Sequence, residues 1–153
     1  TGRTRHFVNA FGENVIVEEV ERAMVEACRR GQAEVVEFTV APCYPSASET
    51  RGRHDWLVEF AELPRCPMDV FARMLDETLQ QLNTDYRIKR TGDTGMLAPR
   101  FLELPAGTFH RWMRVRGKLG GQNKVPRVTN DRTVANGLLE AAGGHARELA
   151  PLA

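Results

Sequence analysis

The chain has 153 residues, the usual size of one domain and too few for two full enzyme lobes. Its 42% hydrophobic and 27% charged residues are typical of a globular protein with a buried core. The 21 basic and 20 acidic side chains leave a net charge of +1, which excludes strong attraction of the whole molecule to nucleic acid or to an anionic membrane. No apolar run approaches the roughly 18 residues that a transmembrane helix needs, and no secretion signal is recognisable, so we expect a cytoplasmic protein.

The cysteines and histidines indicate no metal centre. Three widely spaced cysteines predict neither a disulfide framework nor a paired-cysteine zinc site. No two histidines fall at the i, i+4 spacing that places two imidazoles on one metal from a helix. We therefore expect that the chain binds no metal through its own residues.

The first half of the chain predicts a strand, a helix and a hairpin. The apolar run 7–10 indicates a strand, and the apolar spacing from Val17 to Arg30 predicts a helix that stops at Gly31. Alternation over 36–40 predicts a strand with one core face, and 56–60 predicts its hairpin partner. This half therefore contributes three strands and one helix.

The second half predicts a long helix, a strand and two short helices. The long helix begins near Pro67 and runs on toward Arg90, and a strand follows at 100–104. Short helices are expected at 108–116 and 134–142. The resulting β-α-β-β-α-β order is that of a ferredoxin-like α+β domain, with helices covering one face of a small mixed or antiparallel sheet.

A stretch of the second half is strongly basic and contains no Asp or Glu. Its cations are Arg111, Arg114, Arg116, Lys118, Lys124 and Arg127. Gly120 and Gly121 would allow backbone N–H groups to approach an anion beside a lysine. The stretch is not a Walker A loop, because Asn123 and Val125 flank the lysine. On the residues alone, a solvated basic turn between two helices is favoured over a phosphate-binding loop.

One further group of polar residues leaves alternatives open. The cluster of Tyr86, Arg87, Lys89 and Arg90 could bind a carboxylate, or could be a charged helix end that opposes the helix dipole. His54 and Trp56 are interpreted as strand residues without a catalytic role.

Both ends of the chain resemble motifs of the acyl-adenylate-forming enzymes. The superfamily's hinge motif is matched in order and spacing by Gly2, Arg3, Val8, Gly12, Val15, Glu19, Val20 and Glu21. Lys124, followed by Arg127, resembles the superfamily's catalytic lysine loop. Within the superfamily, the segments 83–95, 107–109 and 121–127 are similar to the acyl acid amido synthetases, first described as auxin-responsive in plants and also found in bacteria. The likeness extends to about Arg132.

The resemblance implies that residues 1–153 form the C-terminal cap domain of a larger ligase. Its N-terminal adenylation domain would be the partner and is absent from this chain. Such ligases use ATP to convert an organic acid to an acyl-adenylate, which an amino acid then converts to an amide. The nucleotide's Mg²⁺ would be held mainly by the other domain. Residues 1–12 would be the hinge, 133–153 a closing helix and tail, and the isolated domain would be inactive.

The same resemblance implies a role for individual residues. Lys124 would be the catalytic ammonium, and its neighbours on the loop would orient it or touch phosphate: Gln122, Asn123 and Arg127. The domain would pivot at Arg5 and His6.

Four positions depart from the superfamily pattern. His6 replaces the usual pivot aspartate, Asn9 a lysine, Val17 a proline and Asn123 the glycine before the catalytic lysine. These departures argue against thioester-forming and peptide-synthetase relatives, and they do not conflict with the amido synthetases, which diverge at the same places.

A second hypothesis comes from a different functional class. A free-standing ferredoxin-like module could bind RNA or an acidic partner through the basic stretch 111–127. RNA platforms of this kind expose aromatic residues on the sheet for base stacking, whereas the aromatic residues here also fill the predicted core. We therefore favour the ligase and expect neither a nucleic-acid nor a membrane partner.

Overall fold

The fold is known from a computed structural model that describes residues 7–91, 95–115 and 125–148. The helices are α1 (Val17–Gly31), α2 (Met68–Leu82), α3 (Thr84–Arg90), α4 (Thr108–Val115) and α5 (Thr133–Ala141). The strands are β1 (Phe7–Val8), β2 (Val15–Ile16), β3 (Glu34–Cys43), β4 (Arg53–Glu62), β5 (Arg100–Leu104) and β6 (Arg147–Glu148). The predicted α+β class is confirmed.

A mixed sheet of four strands forms the centre of the domain, in the order β3-β4-β5-β6. β3 and β4 are an antiparallel hairpin, β5 runs parallel to β4, and β6 is antiparallel to β5. A parallel pair requires a crossover connection, which α2 and α3 provide between β4 and β5. Beyond β3, Val128 forms a parallel bridge with Val40 and extends the sheet at that edge.

The first predicted strand lies outside this sheet. A ferredoxin-like order would place it among the central strands, but β1 pairs with β2 in a separate two-stranded sheet. Gly12 and Asn14 have φ angles of 87° and 51°, which turn the chain back on itself before β2. The predicted order of strands and helices is otherwise retained.

Helices cover both faces of the central sheet, so the expectation of one covered face was wrong. On the first face α1, α2 and Tyr86 of α3 pack against Phe38, Val40 and Trp56. On the second face α4 and α5 pack against Ala41, Leu57 and Leu102. Because both faces are covered, consecutive residues of β4 are buried from His54 to Glu59.

The predicted core face of β3 is interrupted at its start. Val36 is 54% exposed, although its alternation with Phe38 and Val40 placed it in the core. The register explains this: Val35 pairs with Phe60 and Glu37 with Glu59, so Val36 is the extra residue of a β-bulge.

Asn83 divides the long helix predicted from Pro67 to Arg90. Its backbone is extended, with φ −134° and ψ 112°, and its Oδ1 accepts a hydrogen bond from the Tyr86 N–H at 2.7 Å as the N-cap of α3. Its amide nitrogen donates to the Asn14 carbonyl at 3.0 Å and to Glu19 Oε1 at 2.8 Å. Asn83 therefore joins α3 to the beginning of α1.

The elements after β5 follow the predictions closely. Helices expected at 108–116 and 134–142 occur at Thr108–Val115 and Thr133–Ala141. β6 was not predicted, because two polar residues at a sheet edge carry no hydrophobic period. Among the described residues, no helix has the length and apolarity needed to cross a bilayer.

We predict that Asn83→Ala lowers the free energy of unfolding by about 1 to 2 kcal/mol, because it removes the cap of α3 and the two hydrogen bonds that its amide nitrogen donates to the Asn14 carbonyl and to Glu19. Urea denaturation of the variant measures this change. Asn136→Ala on the exposed side of α5 is the matched control and should cause no loss. Equal stability of the two variants would contradict the role of Asn83.

Candidate functional site

The residues predicted to carry chemistry fall mostly outside the described part of the chain. Arg5 and His6 precede it, and Gln122, Asn123 and Lys124 lie between its second and third ranges. The structure describes what holds both segments: residues 7–12 after the pivot, and the segment 125–132 after the lysine.

The segment after the lysine is attached to the outer edge of β3. The Val40 N–H donates to the Arg127 carbonyl at 2.8 Å, and the Thr129 N–H donates to the Val40 carbonyl at 3.1 Å. The Thr39 hydroxyl donates to the Pro126 carbonyl at 2.6 Å. An edge strand offers unpaired backbone groups, and here this segment uses them.

Two apolar side chains anchor the same segment. Val125 directly follows the predicted catalytic lysine and is buried in the core on the α4 and α5 side of the sheet. Val128 is buried in the core on the opposite side. Val125, the residue directly after the predicted catalytic lysine, therefore has a fixed position in the fold.

Arg127, the one predicted phosphate contact that is described, is engaged by carboxylates of this domain. Its Nε donates to Glu21 Oε2 at 3.3 Å, and its Nη1 donates to Glu37 Oε1. The guanidinium carbon lies 4.5 Å from the centre of the Phe38 ring, within the range of a cation–π contact.

The hinge segment and the lysine segment meet at one residue, Asn130. Its Oδ1 accepts a hydrogen bond from the Asn9 N–H at 2.8 Å, although 121 residues separate the two. Its carbonyl accepts a second bond from the Tyr44 hydroxyl at 2.6 Å. Asn9 in turn accepts from the Asn14 N–H through its side chain at 3.0 Å. The two ends of the sequence that resemble motifs are therefore in contact.

A buried carboxylate holds the far end of the lysine segment. Asp55 has no exposed side-chain surface and accepts two hydrogen bonds from Arg100, at 2.9 and 2.7 Å. Arg132 donates to the same carboxylate at 2.7 Å and to the Pro42 carbonyl at 3.0 Å. The hydrogen bonds from Arg100 to Asp55 raise the pKa of the Arg100 guanidinium, so Arg100 remains charged.

Comparison with known proteins identifies the domain. Residues 18–133, more than half of the chain, match the model of the GH3 family C-terminal domain. The chain belongs to the GH3 family. This finding confirms the resemblance inferred from the two motifs. A search of curated proteins finds no match.

Solved structures of full GH3 proteins share the fold. One is a GH3.15 acyl acid amido synthetase and another is AtGH3.15 acyl acid amido synthetase in complex with 2,4-DB. Each has 16% sequence identity and a TM-score of 0.71 over 96% of this chain. The chain spans 27% of the length of each of these proteins.

A buried pair of a carboxylate and a histidine in this GH3 domain holds the turn between β1 and β2. Glu13 and His54 have no exposed side-chain surface, and Glu13 Oε2 lies 2.7 Å from His54 Nε2. Glu13 Oε1 accepts from the Phe11 N–H at 2.7 Å. Burial alone would raise the pKa of the Glu13 carboxyl, but the hydrogen bond and charge of His54 and the backbone N–H outweigh it, and the pKa is lowered.

The basic cluster that begins at Tyr86 does bind a carboxylate, and the carboxylate is the domain's own. Tyr86 donates its hydroxyl to Asp76 Oδ1 at 2.5 Å, and Arg90 donates to both oxygens of Asp76 at 3.0 and 2.6 Å. Burial, and then the charge of Asp76, raise the pKa of the Tyr86 hydroxyl, which stays protonated. Arg87 is exposed. The cluster stabilises the junction of α2 and α3.

Sequence reasoning missed the acidic members of these clusters, Glu13, Asp55 and Asp76. One signal was available: Asp76 follows Leu75 and precedes Leu79 by three residues, so helical spacing places it beside the apolar face of α2. Within the described ranges, no group of three or more His, Cys, Asp or Glu side chains is placed to hold a metal.

We predict that Glu13→Gln makes the stability of the fold less dependent on pH between pH 7 and pH 3. The pKa of Glu13 is lower in the folded state than its ordinary value of 4.5, so the ionised carboxylate stabilises the fold at pH values above 4.5. This contribution is lost as the pH falls through the lowered pKa of the folded state. The variant should be less stable than the parent near pH 7, and the difference should narrow below about pH 4.5. Thermal unfolding from pH 7 to pH 3 measures this.

The exposed variant Glu140→Gln is the control and should keep the parent's pH profile. A Glu13→Gln profile that runs parallel to the parent's would show that this carboxylate does not couple folding to protons.

Proposed function

We propose that this GH3 domain is the C-terminal domain of an ATP-dependent acyl acid amido synthetase and carries its catalytic lysine, Lys124. The observation that supports this most is the hydrogen bond between Asn9 and Asn130. It connects the segment that follows the proposed hinge with the segment that follows Lys124. A rotation about the hinge would therefore carry the lysine segment with it.

The first step, adenylation of the acid, needs a positive charge beside the α-phosphate of ATP. A carboxylate oxygen of the acid attacks the α-phosphorus of ATP, and the bond to the pyrophosphate oxygen breaks to give acyl-AMP and pyrophosphate. Negative charge gathers on the oxygens around the phosphorus, where a positioned ammonium lowers the barrier. Lys124 supplies that ammonium, and Gln122 and Asn123 orient it or contact phosphate.

The second step needs the same place to be free. The amine of an amino acid attacks the acyl carbon and releases AMP, so the lysine must withdraw to admit the amine. A mobile domain meets both needs, because it can approach for one step and rotate away for the next. Arg5 and His6 are the proposed pivot, and residues 1–12 the hinge.

The partner of this domain is a larger N-terminal adenylation domain of the same polypeptide. The two GH3.15 structures support this, since the present fold accounts for only 27% of each of them. That partner would bind most of the ATP with its Mg²⁺, as well as the acid and the amino acid. The domain alone would be inactive.

The alternative of an RNA-binding module receives no support from the described residues. Both faces of the central sheet are covered by helices, and Phe38, Trp56 and Phe101 are buried, so they offer no surface for base stacking. Arg127 is paired with carboxylates, and Arg111 donates to the carbonyl of Ala141. The family match favours the ligase.

We predict that Lys124→Ala in the full-length gene product lowers ATP–pyrophosphate exchange by about 10²- to 10³-fold, because it removes the cation at the α-phosphate. ATP affinity should change little. Exchange is measured with a panel of carboxylic acids that includes 2,4-DB, the compound bound in one of the two GH3.15 structures.

Lys118→Ala is the matched control, because it removes a cation from the same basic stretch. It should leave exchange near the parent's rate. Unchanged exchange in Lys124→Ala, or an equal loss in both variants, would overturn the assignment of Lys124.

A further inference from the structure

The environment of Arg127 fits a mechanical role better than a phosphate contact. The guanidinium lies between two elements: Glu21 belongs to α1, and Glu37 belongs to β3. Its Nη1 also donates to the Phe38 carbonyl at 3.3 Å. The side chain is 28% exposed. Arg127 thus connects the lysine segment both to the sheet, through β3, and to α1, the helix that packs on that sheet.

Two carboxylates beside a guanidinium make it a poor ligand for phosphate. Each partner already satisfies part of the cation's charge, and a phosphate that approached would be repelled by both Glu21 and Glu37. To bind phosphate, Arg127 would first have to release Glu37. The charge around Arg127 is instead arranged to keep it in place.

The main chain of Arg127 belongs to the same attachment. Its carbonyl accepts from the Val40 N–H, so both its side chain and its backbone are bound to β3. Lys124 lies three residues before it, which limits the distance between their Cα atoms to about 11 Å even in a fully extended chain. A shift of Arg127 would therefore be passed to the lysine through a short connection.

We infer that Arg127 is a positioning residue: it clamps the lysine segment onto α1 and β3 so that Lys124 enters the adenylation site in a defined orientation. The inference rests on the proposed function. Arginine suits this task because its planar fork presents donors in several directions at once, whereas a lysine ammonium lacks that planar fork.

The conservative substitution separates the two roles. A phosphate contact needs mainly the positive charge, so Arg127→Lys should retain most activity if Arg127 binds phosphate. A clamp needs the fork, so Arg127→Lys and Arg127→Gln should both lower kcat for adenylation in the full-length protein by about 10- to 100-fold. KM for ATP should stay within about twofold of the parent, because no ATP contact is removed.

Removing a partner gives the sharper test. Glu37→Gln keeps the size of the side chain but loses the charge that holds Arg127. If Arg127 is a clamp, this variant should lower kcat with KM for ATP unchanged. If Arg127 is a phosphate ligand, freeing it should leave kcat unchanged or improve ATP binding. Glu26→Gln is the matched control, since Glu26, on α1, is likewise a carboxylate paired with an arginine, Arg29.

A second measurement needs no acid substrate. Hydrogen–deuterium exchange of the Val40 and Thr129 amides reports directly on the attachment of the lysine segment. In Arg127→Lys and Glu37→Gln these amides should exchange at least about tenfold faster than in the parent, and Glu26→Gln should not change them.

The outcomes distinguish this inference from the proposed function. Unchanged ATP–pyrophosphate exchange in Lys124→Ala would overturn the proposed function. The hydrogen–deuterium exchange of the Val40 and Thr129 amides would still decide whether Arg127 is a clamp. If Lys124→Ala is inactive while Arg127→Lys keeps parental kcat and amide protection, the function stands and the clamp is wrong. The clamp would also be wrong if KM for ATP rises in Arg127→Gln but stays at the parent's value in Arg127→Lys.

Discussion

The pairing of residues 127–129 with Val40 at the outer edge of β3 determines how the second half of the chain is arranged. β5 lies two strands away from that edge, so the chain must cross the sheet to reach it. The crossing segment includes α4, and α5 follows the pairing on the way back to β6 beside β5. These two helices consequently cover the second face. The edge pairing therefore both completes the core and places the segment that follows Lys124.

Buried carboxylates hold the connecting segments around this arrangement. Asp55 binds arginines from β5 and from residue 132, Glu13 binds His54 on β4, and Asp76 binds Tyr86 and Arg90 of α3. Burying a carboxylate is costly unless its oxygens have donors, and each of these has them. Because each partner lies on a different element from its carboxylate, each pair is satisfied only when the elements dock in the observed places. The GH3 domain thus holds residues 7–12, which follow the proposed hinge, and residues 125–132, which follow the proposed catalytic lysine, on one framework.

Elements with a hydrophobic period were predictable, and those defined by single polar residues were not. The helix at Val17–Gly31 and the short helices α4 and α5 follow from apolar spacing. The bulge at Val36 and the break at Asn83 do not, because each depends on a contact with a residue far along the chain. β6 has only two polar residues and depends entirely on the edge of β5.

The candidate site divides in the same way. Resemblance to known motifs located Lys124 and Arg127, since both lie in a contiguous string of residues. It gave no indication of the contact between Asn9 and Asn130, because two asparagines 121 residues apart carry no periodic signal. It implied that Arg127 orients Lys124 or touches phosphate, and it gave no indication of the carboxylates from α1 and β3 that pair with Arg127. A sequence motif can thus identify a residue such as Arg127, but its contacts depend on how distant elements pack against it.

We propose that the hinge end and the lysine segment move as one body and deliver a cation to the nucleotide. A crystal structure of the full-length protein with α,β-methylene ATP, trapped before adenylation, tests it most directly. We predict that Lys124 Nζ lies within about 3 Å of an α-phosphate oxygen, with the Asn9–Asn130 bond and the Val40 pairing retained. A structure with the domain closed on the nucleotide but Lys124 directed away from it, or with residues 127–129 detached from β3, would contradict the account.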